Sequence, residues 1–243
     1  MNGQCIAVVS GKGGTGKTSL TAGVGTALAL SGKRVLCVDC DIGLRNLDLA
    51  LGLTDRALMD FSDVALNRCS LESAVVSHPN VPNLYLLTAP VRMRGPCVTT
   101  LAFRLMLAKI RQQFDYCLLD APAGLGEGFR LAVCAADRCV VVTTQDASSL
   151  RDAQHTVMEL DRFPAGALHL VVNRVRKKLL RQLHATIDDA IDKAGLPLLG
   201  VVPEDDALPL CMNRGVPILL ADGQSAATAY RNIAKRLQGE RVP

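Results

Sequence analysis

Residues 11–18 read Gly-Lys-Gly-Gly-Thr-Gly-Lys-Thr, and no other stretch of the chain limits the possible fold as strongly. The eight positions satisfy G-x-x-x-x-G-K-[ST] through Gly11, Gly16, Lys17 and Thr18. Glycines 13, 14 and 16 let backbone N–H groups turn inward around a phosphate without Cβ clashes. Lys17 is then placed for the β and γ oxygens, and the Thr18 hydroxyl for Mg²⁺, with Ser19 following. Thr15 contributes backbone groups to the same cradle. Lys12 is an extra cation at the start of the loop, pointing away from its own phosphate. That placement suits contact with a nucleotide held by a second copy, so it predicts a homodimer controlled by ATP and ADP.

The surroundings of the loop supply its context. Ile6–Val9 reads as a buried strand and Thr18–Leu30 as a helix, with Leu20, Val24, Ala27 and Leu28 at helical spacing and Gly32 as its stop. Strand, loop and helix in that order aim the helix N-terminus at the phosphates. Short apolar runs at 35–39, 84–88, 116–120, 139–143, 168–173 and 198–202 predict further strands. They alternate with helix candidates at 98–113, 127–135, 147–162, 180–194 and 225–238. Nearly continuous apolar strands are covered on both faces. The expected fold is α/β, a single doubly wound P-loop NTPase domain over 1–243 with a mostly parallel sheet flanked by helices.

A phosphate-loop hydrolase needs an acid for its metal at the end of a neighbouring strand. Tyr116-Cys117-Leu118-Leu119-Asp120 ends in one, and Ala121-Pro122-Ala123-Gly124 follows. Asp120 is the candidate Mg²⁺ residue beside Thr18. The other reading of Asp120 is a cap for the helix opening near Gly126. Asp39-Cys40-Asp41 ends the preceding strand, with Asp41 the candidate for orienting the attacking water and Asp39 supporting it.

Composition excludes several classes. Hydrophobic residues are 49% and aromatics 3%, so the core is aliphatic. The net charge of +4 permits an anionic partner without requiring one. Nine scattered cysteines, with Cys5, Cys37, Cys117 and Cys139 in apolar strands, read as buried free thiols of a reducing compartment. Cys37 and Cys40 form a C-x-x-C, but residues three apart on a strand face opposite ways and no second pair stands at ligand spacing. The N-terminus has neither a basic region nor an apolar core of a signal peptide, and no apolar run approaches ~20 residues, so a cytoplasmic protein is expected.

Residues 11–18 resemble the deviant Walker A loop of the ParA/MinD family of P-loop ATPases. The run from Asp39 to Leu49 is similar to the first switch of its division-site-selecting branch, and Asp120–Gly124 to the second switch. Asn173-Arg174 and Val201-Val202-Pro203-Glu204-Asp205 resemble the family's adenine-side elements. Ser148-Ser149-Leu150-Arg151-Asp152 is similar to the segment that opens a helix at the dimer face. The resemblance spans 5 to about 239. It implies an ATP-bound sandwich dimer with Lys12 acting in trans, peripheral at the inner face of the cell membrane. It further implies a MinC-like inhibitor and a MinE-like activator, the latter docking near Ser148, Ser149, Arg151 and Asp152.

Two features depart from the family pattern. Members of this branch end in an amphipathic membrane helix, whereas after the helix at 225–238 only Gly239-Glu240-Arg241-Val242-Pro243 remain. A cut before the anchor is the expectation, and Ala226, Tyr230, Ile233 and Leu237 read as the stripe packed on the domain. Residues 174–181 hold five basic side chains, Arg174, Arg176, Lys177, Lys178 and Arg181. They read as a solvated segment or as a contact for DNA or lipid headgroups. The alternative function is therefore a ParA-like DNA-partition ATPase. A metal-cluster carrier is disfavoured because only Cys211 stands near the C-terminus.

Overall fold

The computed structural model describes residues 3–92, 97–176, 178, 186–221 and 225–242. Within them one sheet is built from β1 (Gln4–Val9), β2 (Val35–Asp39), β3 (Val76–Ser77), β4 (Leu84–Leu87), β5 (Tyr116–Asp120), β6 (Arg138–Thr143), β7 (Leu168–Val175) and β8 (Leu198–Pro203). Its order is β3-β4-β2-β5-β1-β6-β7-β8, parallel except for β3 against β4. The helices are α1 (Lys17–Leu30), α2 (Asn46–Leu51), α3 (Phe61–Ala65), α4 (Leu71–Ala74), α5 (Thr100–Gln113) and α6 (Glu127–Val133). They continue with α7 (Ala147–Met158), α8 (Ile187–Ala194), α9 (Ala207–Asn213) and α10 (Ser225–Leu237).

Alternation along each strand divides the interior into two cores. Cys5, Ala7 and Val9 of β1 join the apolar faces of α5, α6, α7 and α8, whereas Ile6 and Val8 join α1, α2 and α10. Cys37 lies in the second core and Cys40 in the first, so the C-x-x-C thiols sit on opposite faces of the sheet. All nine cysteines are free. The stripe of α10, Ala226, Tyr230, Ile233 and Leu237, is buried against the domain. Gly23 of α1 makes room for it, since a Cβ there would lie 2.2 Å from the Tyr230 ring. Burying such a ring contributes roughly 2–3 kcal/mol, so this contact fixes α1 behind the loop it follows. No helix among the described residues is long and apolar enough to cross a membrane.

Several boundaries differ from the sequence expectation. The helix expected over 147–162 ends at Met158. Beyond it Glu159, Leu160 and Phe163 bond three residues back, a tightening that precedes Pro164. The helix expected from 180 begins at Ile187, where Thr186 and Asp189 form a capping box, and 179–185 lie outside the described residues. Lys177 and Arg181 of the basic segment, and Pro243, also lie outside them. The helices α2, α3, α4 and α9 were not expected: at four to seven residues they are too short for a periodic signal.

Candidate nucleotide-binding site

Every candidate acid and the phosphate loop leave the carboxyl ends of parallel strands, where open α/β sheets bind ligands. β1 and β5 pair up to Val8 with Asp120, and β2 and β5 up to Asp39 with Asp120. The loop between β1 and α1 therefore opens beside both acidic strand ends. The loop is locally determined: Gly14 and Gly16 adopt φ of +79° and +88°, in the left-handed region open to glycine. On its far side Gly11 packs against the Asp152 carbonyl and Thr156 hydroxyl of α7.

Lys17, the first residue of α1, is buried, and its Nζ donates to Ser10 Oγ at 2.8 Å. Burial pulls its pKa down, while the charges of Asp120 and Asp41 oppose this. Asp120 is buried and accepts a hydrogen bond from the Thr21 hydroxyl at 3.2 Å, with the Thr18 hydroxyl near enough to favour its charged form. Burial and the neighbouring Asp39 charge push its pKa up to about 7, against Thr18, Lys17 and Thr21. Gly126 caps α6 without a side-chain bond, so Asp120 does not serve as that helix's cap. Asp39 accepts N–H groups of Asp41 at 2.8 Å and Leu47 at 3.2 Å, yet burial raises it to about 6. Asp41 is more open and is also raised by burial, with Lys17 opposing.

Lys17 and Asp41 line a cleft of about 700 Å³ together with Gly13, Gly14, Gly16, Thr18, Ser19, Asn173, Arg174, Pro203 and Asp205, with Asp39 and Asp120 buried outside its lining. Not all adenine-side candidates present free groups to it. Asn173 is buried and its amide donates to the Thr15 carbonyl at 2.8 Å and the Gly16 carbonyl at 3.4 Å, so it braces the loop from beneath. The Asp205 carboxylate accepts from Ala207 N, Ser225 Oγ and Ala226 N, tying the starts of α9 and α10 together. Arg174 donates to the Gly14 carbonyl, and Arg174 and Arg176 both pair with Glu204.

Lys12 stands outside the cleft. Its Nζ donates to Ser148 Oγ at 2.7 Å and lies 3.4 Å from Asp146 Oδ1, at the N-terminus of α7. Asp146 also accepts from Ser148 Oγ and Ser149 N and from the Thr144 hydroxyl, bonds that hold its carboxyl well below the usual range although burial opposes them. Of the predicted helix-face residues, Ser148 and Arg151 are exposed and Asp152 half-buried, but Ser149 is buried and faces inward. Its amide serves the N-cap, which explains the difference. Sequence reasoning passed over Ser10, Thr21 and Asp146, and read Glu204 only as part of an adenine-side run rather than as the partner of Arg174 and Arg176. Asp146 had a readable signal, an Asp ahead of Ala-Ser-Ser at a helix start.

The donor set fits a hard cation. Carboxylate and hydroxyl oxygens from Asp120, Thr18 and Asp41 suit Mg²⁺, which keeps waters and relies on substrate phosphates for the rest of its shell. Among the described residues no group of three or more His, Cys, Asp or Glu is placed to hold a metal ion.

Two expected outcomes arise here. The Thr15 Oγ1 is buried without a hydrogen-bond partner. Thr15→Val is expected to stabilise the nucleotide-free protein by about 1 kcal/mol, read as a rise in thermal midpoint of ~2–4 °C. An unchanged or lower midpoint contradicts the unpaired assignment. Secondly, Asp39 and Asp120 have folded-state pKa values above their ordinary value of 3.8. The folded state thus binds more protons between about pH 4 and 7, and stability falls as pH rises through that window. Lowering pH from 8 to 6 is expected to stabilise the nucleotide-free protein by on the order of 1 kcal/mol. Asp39→Asn should flatten the profile; an unaltered slope refutes the assignment.

Comparison with known proteins gives a consistent result. Residues 6–218 match the family model described as the CobQ/CobB/MinD/ParA nucleotide binding domain. The septum site-determining protein MinD of Bacillus subtilis is 41% identical over 244 residues, covering 99% of this chain and 91% of the relative. The structure of a MinC:MinD cell division complex from Aquifex aeolicus superposes with a TM-score of 0.91 at 36% identity, over 99% of this chain and 97% of that one. The MinD complexed with Mg-ADP from Pyrococcus horikoshii gives 0.83 at 29% identity, over 96% and 95%.

Proposed function

The chain belongs to the CobQ/CobB/MinD/ParA nucleotide-binding family, and on that premise we propose that it is a MinD-type ATPase acting in division-site placement, an ATP-made dimer that hydrolysis dissolves. The observation that carries this reading is the separation of its two loop lysines. Lys17 is sunk among Ser10, Asp120 and Asp41, whereas Lys12 sits on an outward-facing helix start. One lysine serves the chain's own phosphates and the other is available to a partner copy.

In this reading the loop N–H groups from Gly13 to Thr18 cradle the phosphates and Lys17 neutralises the β and γ oxygens. Thr18 and Asp120 hold Mg²⁺, which supplies charge neutralisation of the transferring phosphoryl group. Asp41 orients the attacking water, and Asp39 holds the turn that carries it through the Asp41 and Leu47 amides. Lys12 leaves Ser148 and Asp146 to reach the partner's nucleotide. Asn173 and Arg174 steady the loop, while Pro203 and the backbone near Asp205 form the wall toward the base.

A MinC-like inhibitor and a MinE-like activator are the protein partners proposed, engaging the face that Ser148, Arg151 and Asp152 border. The site of action is the inner face of the membrane. Division-site placement is preferred to DNA partition because Arg174 and Arg176 are both engaged by Glu204, leaving that basic segment fewer unpaired cations. The test is capture of a MinC-like inhibitor by the ATP-loaded and the ADP-loaded chain, beside a duplex-DNA retardation assay at two salt concentrations. ATP-dependent capture without DNA binding supports the proposal. Salt-sensitive, ATP-dependent retardation of DNA with no capture would favour the partition role.

A further inference from the structure

Thr21 of α1 is fully buried behind the cleft, outside its lining. It stands one turn beyond Lys17, where α1 crosses the carboxyl end of β5. Leu118 joins the core beneath that helix, and Asp120, two residues further along the strand, faces the same way. Gly25, the next turn of α1, allows the close approach: a Cβ there would lie 2.5 Å from Cys37 Sγ and 3.4 Å from Leu118 Cδ1. The helix thus runs back along β5 with Gly25 over Leu118 and Thr21 over Asp120. Thr21 Oγ1 lies 3.2 Å from Asp120 Oδ1 and 3.0 Å from the Lys17 carbonyl oxygen.

A threonine inside a helix commonly returns its hydroxyl proton to the carbonyl four residues back. Thr26 and Thr156 do so at 2.7 and 2.8 Å. The corresponding distance at Thr21 is longer, and of these three threonines it alone has a carboxylate as a second acceptor. One hydroxyl carries one proton, so at any instant it serves Asp120 or the Lys17 carbonyl, not both. An ionised carboxylate is the stronger acceptor. The Lys17 carbonyl has a helix amide as its other donor, so it can release the hydroxyl without being left unpaired.

We propose that Thr21 is a positioning residue for the metal site: its hydroxyl pins Asp120 Oδ1 and holds that carboxylate in one orientation for Mg²⁺. This inference rests on the reading that Asp120 helps to hold the metal. Asp120 lies behind the cleft's lining with the Asp39 charge beside it. Without an anchor on α1 its carboxylate is free to turn about its last bond. The hydrogen-bond partners of a metal-holding group set its orientation, and removing one typically weakens metal binding by about 10–100-fold.

Thr21→Val keeps the shape of the side chain and removes the hydroxyl, Thr21→Ala is a second variant without it, and Thr21→Ser retains it. Mn²⁺ binding to the ADP complex of the full chain, followed by electron paramagnetic resonance, reads the metal site without hydrolysis. Thr21→Val and Thr21→Ala are expected to weaken Mn²⁺ binding by about 10-fold, with Thr21→Ser close to the wild type. For hydrolysis, kcat should fall in the same two variants while KM for ATP stays within ~2-fold. A thermal melt without nucleotide identifies the folded variants. Wild-type Mn²⁺ affinity in a folded variant lacking the hydroxyl, or equal losses in Thr21→Ser and Thr21→Val, would overturn the proposal. Asp120→Asn separates that failure from failure of the site reading, since it should weaken Mn²⁺ binding whether or not Thr21 matters. Wild-type Mn²⁺ affinity in Asp120→Asn would overturn both.

Discussion

Lys17→Ala is expected to reduce phosphate release at saturating Mg-ATP by at least ~10²-fold, the scale seen when one preorganised charge donor is lost from a transition state. The physical reason lies in the neighbourhood. Asp39, Asp41 and Asp120 all have pKa values raised by burial, and Lys17 is the cation whose charge opposes this at Asp41 and Asp120. Its removal leaves those acids and the incoming phosphates without that countercharge. The nucleotide-free variant should also bind protons more readily at Asp120, so its thermal midpoint should fall more steeply with rising pH. Hydrolysis within ~3-fold of the wild type would mean that Lys17 does not face the phosphates.

Gly16→Ala is expected to weaken ADP binding by about 10–100-fold in titration calorimetry. Its φ of +88° is a conformation that L side chains adopt at a cost of ~1–2 kcal/mol. A Cβ there would also lie 2.2 Å from Asn173 Nδ2, which is buried and bonded to the Thr15 and Gly16 carbonyls. Asn173 must retreat and surrender that brace, at about 1 kcal/mol more. Asn173→Ala in the same background removes the clash, and it should recover part of the lost affinity if the collision matters. Wild-type ADP affinity in Gly16→Ala would mean the loop has another conformation.

What the sequence revealed follows from how far each signal reaches. The strands at 35–39 and 116–120 fall where their apolar runs predicted, because residues covered on both faces leave an uninterrupted record. The acids that follow them were legible for the same reason: a charge at the end of such a run is conspicuous. Short elements such as α2, with six residues, leave no periodicity to read. Lys12 was read as pointing away from its own phosphate; the groups its Nζ contacts, Asp146 and Ser148, lie 134 and 136 residues away and no local pattern joins them. Asp205 was read toward the adenine, whereas its carboxylate is committed to Ala207, Ser225 and Ala226, a contact set by chain return. Ser149, read as surface, is buried because the N-cap turns the first helical residues inward.

Nucleotide state is expected to control the pairing of two chains. Sedimentation velocity of Asp41→Ala, which should bind ATP without hydrolysing it, tests it in Mg-ATP and in Mg-ADP, with Asp41→Ala/Lys12→Ala alongside. The expected result is a species of twice the chain mass in ATP, the single chain in ADP, and no dimer in the double variant despite ATP binding. A single chain in both nucleotides with ATP bound, or a dimer indifferent to nucleotide and to Lys12, would contradict it.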